Sequence, residues 1–121
     1  MLRHEEEVRL NPDRLDQLFV QLGEAGAQNV VCRAMEELAV RLSSLEECHR
    51  AGRAEMVRKG AKSLIAIADQ IGMQSLARVA GDVRDCADRG DGVALAATLR
   101  RLVRIGDRSL TAVWDLQDLS V

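Results

Sequence analysis

Between Val31 and Cys48 the apolar residues Val31, Ala34, Leu38, Leu42, Leu45 and Cys48 fall three or four positions apart. That is the period of one face of an α-helix. The same spacing returns in the stretch that ends at Gly72, in Leu76, Val79, Ala80, Val83, Cys86 and Ala87, and again in Leu95, Leu99, Leu102, Leu110 and Val113. Ala51-Gly52, Gly72 and Gly90-Asp91-Gly92 interrupt it. A chain built of such stripes folds by burying stripe against stripe, which makes helix packing the governing constraint. Composition points the same way. With a single Phe, a single Trp, no Tyr and a single proline, packing rests on aliphatic residues and alanine. Strands prefer β-branched and aromatic residues, so an all-α fold is predicted.

Asn11-Pro12-Asp13 reads as a helix start: an N-cap, a proline suited to the first turn, and an acid at the positive end of the dipole. A short helix from there would bury Leu15, Leu18, Phe19 and Leu22, with Gly23 and Gly26 breaking or bending the chain. Four longer helices are expected at about 28–49, 53–71, 74–89 and from Val93 onward, with Gly106 a close-contact point in the last. The expectation is an antiparallel four-helix bundle with a short additional N-terminal helix. At 121 residues the chain suits one domain, taken as 11–121 after a flexible segment 1–10.

The net charge of -2 gives no reason to expect nucleic-acid binding. Its distribution is uneven. Residues 1–49 hold ten acids and five bases, and 63–121 hold eight and seven, whereas 50–62 hold Arg50, Arg53, Arg58, Lys59 and Lys62 against Glu55 alone. Cys32, Cys48 and Cys86 sit at apolar helix positions without CxxC spacing, which favours buried reduced thiols over a metal or redox motif. No apolar run reaches membrane-spanning length, and the charged start lacks the apolar core of a signal peptide. A cytoplasmic protein without a membrane or nucleic-acid partner and without a cofactor is expected.

At about 100° per residue, placing Lys62 at zero puts Val57, Gly60, Ala61, Leu64, Ile67, Ala68 and Ile71 around the opposite side of the predicted third helix. Glu55, Arg58, Lys59, Lys62, Ala66 and Asp69 share the outer side, with Ile65 on its flank. Lys62 is thus expected in solvent at mid-helix, on a basic face with Ile65 and Met73 as an apolar rim.

The run from Lys62 through Ile71-Gly72 and Leu76-Ala77 to Gly90-Asp91 resembles the centre of the histidine-containing phosphotransfer (HPt) domain, a four-helix relay module of two-component signalling. The likeness extends over roughly Asp13 to Leu116, but its specific part is about thirty residues long. In that family the phosphorylated histidine lies ten residues before the glycine that ends its helix, within His-x-x-Lys-Gly. Counting back ten from Gly72 lands on Lys62, and the supporting Lys-Gly positions are Ile65 and Ala66. A lysine cannot take the phosphoryl group as an imidazole does. The resemblance therefore implies a histidine-less protein that docks on a response-regulator receiver domain or histidine kinase through Arg58, Lys59, Lys62, Ile65, Ala66, Asp69 and Met73, with Gly72 ending the helix.

His49, beside Cys48 at the end of the predicted second helix, is a displaced acceptor in one reading and a dipole-favoured helix-end residue in the other. His4 has no assigned role. Asp82, Asp85, Asp88 and Asp91, interleaved with Arg84 and Arg89, read as ion pairs along one helix rather than a metal site. Trp114 reads as a residue capping the core. No nucleotide loop, Ser/His/Asp set or Cys-His dyad suggests an enzyme. The remaining alternatives are an active phosphotransfer protein using His49 and a structural bundle that dimerises outside signalling.

Overall fold

The computed structural model describes the backbone of residues 11–119 and the side chains of residues 11 and 13–112. It is all-helical, with α1 (Pro12–Arg50), α2 (Ala54–Gln70), α3 (Gln74–Arg89) and α4 (Gly92–Leu119) in chain order. The packing runs in a ring: α1 on α2, α2 on α3, α3 on α4, and α4 back on α1. No helix among the described residues is long and apolar enough to cross a membrane.

The predicted break at Gly23 is a kink inside α1, where the glycine adopts φ 74 and ψ 175. Ahead of it only Leu18 of the expected apolar set is buried; Leu15 is half-buried. Phe19 and Leu22 are 43% and 48% exposed, contrary to the expectation that all four pack inside. The segment before the kink thus buries little of its own apolar face. Residues 1–10, His4, Val113, Trp114 and Leu116 lie outside the residues whose side chains are described, and so do the expectations placed on them.

One core occupies the centre of the ring. Leu38 and Leu45 from α1, Val57, Ala61, Leu64 and Ala68 from α2, Leu76, Val79, Ala80 and Val83 from α3, and Leu99, Leu102 and Ile105 from α4 are all buried in it. Full burial of a leucine- or valine-sized side chain contributes about 1.5–3 kcal/mol. Helix axes approach closely where a side chain is missing. A Cβ on Gly106 would lie 2.5 Å from Leu42 Cδ1, which confirms the close contact expected there. Ile67, expected in the core, is half-buried.

The turn between α2 and α3 is clasped by the start of α1. Gly72 has φ +76, a left-handed conformation that costs a residue with a Cβ about 1–2 kcal/mol. Its carbonyl accepts the Asn11 N–H at 2.7 Å, and Arg14 Nε donates to the Gln70 carbonyl at 2.8 Å. A Cβ at Gly72 would stand 3.0 Å from the Asn11 carbonyl oxygen. Asn11 also caps α1, its Oδ1 accepting the Asp13 N–H at 3.0 Å. The start of α1 is therefore latched over the end of α2, and Gly72 ends that helix as expected.

Candidate functional site

Two turns of α2 carry the basic face. Val57, Ala61, Leu64 and Ala68 fix the helix to the core, and Lys59, Lys62, Ala66 and Asp69 are exposed on its other side. Ile65 is half-buried at the flank. Neither Lys59 nor Lys62 has a hydrogen-bond or ion-pair partner among the described residues. Both ammonium groups are free to meet a carboxylate from outside.

Arg58 is different. Its guanidinium forms a fork on Glu55, Nε reaching Oε2 at 3.1 Å and Nη2 reaching Oε1, and its Nε also lies 3.6 Å from Asp88 Oδ1 on α3. The hydrogen bond from Arg58 lowers the Glu55 pKa against a smaller opposing effect of desolvation; the charges of Arg58, Lys59 and Lys62 lower it further. The Glu55 contact in turn raises the pKa of Arg58. Part of the positive excess read from sequence is thus answered inside the molecule, and the uncompensated part on this face of α2 is Lys59 and Lys62.

Met73 does not belong to this face. It is fully buried. The helical wheel no longer applies there, because α2 ends at Gln70 and Gly72 reverses the chain. The Met73 N–H turns back to the Ala68 carbonyl at 2.9 Å, which carries the side chain into the core. The apolar rim beside Lys62 is Ile65 without Met73.

The α3 aspartates also pair differently than the one-helix reading implied. Asp82 meets Arg101 of α4 at 3.4 Å, Asp88 meets Arg58 of α2 at 3.6 Å, and only Arg84–Asp85, at 3.2 Å, stays within α3. These pairs tie α3 to both neighbours. Among the described residues no group of three or more His, Cys, Asp or Glu side chains is placed to hold a metal ion.

His49 is half-buried on another side of the ring, at the wall of a cleft of about 360 Å³ between α1 and α4. Glu46, Arg50, Ala96, Leu99, Arg100, Val103 and Arg104 complete the lining. Sequence reasoning missed this convergence. Residues 63–121 are nearly charge-balanced, and the available signal was local: Arg100 and Arg104 one helical turn apart.

Compared with protein-family models, curated proteins and solved structures, the chain matches none of them.

Proposed function

We propose that this chain is an antiparallel four-helix bundle of HPt type, cytoplasmic and without the phosphotransfer histidine. In this reading it signals by docking on a response-regulator receiver domain or a histidine kinase. The supporting observation is Lys62: an exposed, unpartnered ammonium at the middle of α2, ten residues before the glycine that ends the helix. A receiver's active site is a cluster of carboxylates, and an ammonium is complementary to it in charge. Lys59 adds a second free charge one turn away, and Ile65 supplies apolar contact at the edge. Docked there, the protein would occupy the acidic site and block phosphotransfer, or hold the partner as a scaffold. No catalytic step is assigned to it.

The test is a titration of magnesium-loaded receiver domains from the same genome with the wild type and with Lys62→Glu. Wild-type binding is expected to weaken steeply with salt, because exposed charges are screened over about 8–10 Å near physiological ionic strength. Lys62→Glu should weaken it at least about tenfold, since it sets a carboxylate against carboxylates. Binding by no receiver at low salt, or equal binding by both forms, would sink the docking reading in favour of a structural bundle. An acceptor role for His49 is disfavoured by its half-buried place in a cleft, away from the outer face of α2. Acid-labile phosphate that disappears in His49→Ala would reverse that judgement.

A further inference from the structure

The cleft between α1 and α4 concentrates positive charge on an otherwise acidic molecule. Arg50, Arg100 and Arg104 line it, all exposed, and Glu46 is the only acid on the wall. None of these four has an ion-pair partner among the described residues. Other arginines are unpaired too, so lack of a partner alone assigns nothing; what distinguishes these three is convergence on one concave site.

The bland account explains only part of it. Arg50 stands in the last turn of α1, where the negative end of the helix dipole favours a cation. Arg100 and Arg104 have no such reason, because they sit in the interior of α4. At i,i+4 spacing their like charges repel each other, a cost an anion between them would remove. The lining also has an apolar part: Leu99 is buried, and Ala96 and Val103, one helical turn before and after it, are half-exposed. His49 adds a ring nitrogen able to hydrogen-bond from the α1 wall.

We infer that this cleft binds a small organic phosphate, its phosphoryl oxygens held by Arg100, Arg104 and Arg50 and its apolar part lying over Ala96, Leu99 and Val103. Three guanidinium groups outmatch a lone carboxylate, whereas a dianionic phosphate accepts several of their forked hydrogen bonds at once. Inorganic phosphate would leave the apolar part of the lining unused. The size is right for a small ligand: about 360 Å³ is at the lower end of the range for ligand sites, about 300–1,000 Å³. From Ala96 to Arg104 the α4 wall rises only about 12 Å, too short to read an extended acidic peptide. The site lies on different helices from the outer face of α2 and does not depend on the docking reading.

The inference is tested by ¹H–¹⁵N NMR titration of the full chain with phenyl phosphate, inorganic phosphate and phenol as separate probes. Phenyl phosphate is expected to saturate below about 10 mM, with shifts confined to 46–50 and 96–104. Inorganic phosphate should bind several-fold more weakly, and phenol should not saturate. Arg100→Gln combined with Arg104→Gln should weaken phenyl phosphate at least about tenfold. Arg78→Gln, at an exposed arginine of α3, should stay within about twofold of wild type. The variant's own spectrum reports whether it is folded, and the two single variants replace the double one if it is not. No saturation by phenyl phosphate, shifts centred on Lys59 and Lys62, an equal loss in Arg78→Gln, or tighter binding of a poly-glutamate peptide would each overturn the assignment.

Discussion

The interface between α2 and α3 and the seam between α1 and α4 are built from different kinds of residue. Across the first, Ala61, Leu64, Ala68, Ile71, Met73, Leu76, Val79, Ala80 and Val83 lose essentially all contact with solvent. Small residues let the axes approach, and branched ones fill what remains. The second is close where Gly106 meets Leu42, and then opens beside Glu46 and His49, where α4 presents Arg100, Val103 and Arg104. Long charged side chains cannot close that gap without losing their hydration. One seam is specified by volume and the other by charge, and the second leaves room for a ligand.

The comparison breaks most sharply at Leu64. It is fully buried at the centre of the tight interface. Leu64→Ala should cost about 2–5 kcal/mol in urea unfolding, the range for leucine truncation in packed cores. Leu22→Ala, ahead of the Gly23 kink, should stay within about 0.5 kcal/mol because that side chain is already half in solvent. Equal losses at the two positions would mean that the segment before the kink is packed after all.

The turn at Gly72 offers a smaller effect with a built-in control. Gly72→Ala should destabilise by about 1–3 kcal/mol, from its left-handed φ and from crowding against the Asn11 carbonyl. Gly81→Ala, inside α3 with nothing nearer than Arg84 Nη2 at 3.8 Å from the new Cβ, should stabilise by about 0.5–1 kcal/mol. Thermal unfolding of the two variants side by side checks the signs. A neutral Gly72→Ala would show that the latch between Asn11 and Gly72 yields.

The helices, most of the core and the exposure of Lys62 are legible in the sequence because each follows from a repeat of three and four residues. What period cannot reach lies where helices end or meet. A wheel misplaces Met73 because it assumes that the helix continues, whereas Gly72 turns the chain inward. Phe19 and Leu22 carry a helical stripe but stay 43% and 48% exposed, and a stripe does not announce its partner. Asp82 and Asp88 have bases within helical reach along α3, yet they pair with Arg101 and Arg58 of neighbouring helices. The cleft joins Arg50 to Arg100 and Arg104 across half the chain, a juxtaposition that packing alone creates.

The outer face of α2 should respond least in stability and most legibly in titration. Arg58 holds Glu55 below its ordinary carboxylate value of 4.5, chiefly through its hydrogen bonds, with the charges of Lys59 and Lys62 adding to the effect. A lowered folded-state pKa stabilises above the unfolded value, and that contribution disappears as pH falls through the folded one. The window is thus acidic, below about pH 4.5, and at neutral pH so exposed a pair adds little to stability. Arg58→Ala should move the Glu55 carboxyl up toward 4.5 in a ¹³C NMR pH titration, while its neutral-pH unfolding midpoint barely changes. Lys62→Glu should raise the same carboxyl by less, because Lys62 acts on it by charge without a hydrogen bond. If Glu55 stays low in Arg58→Ala, the two lysines hold it unaided, and their charge is then engaged within the protein rather than free for a partner.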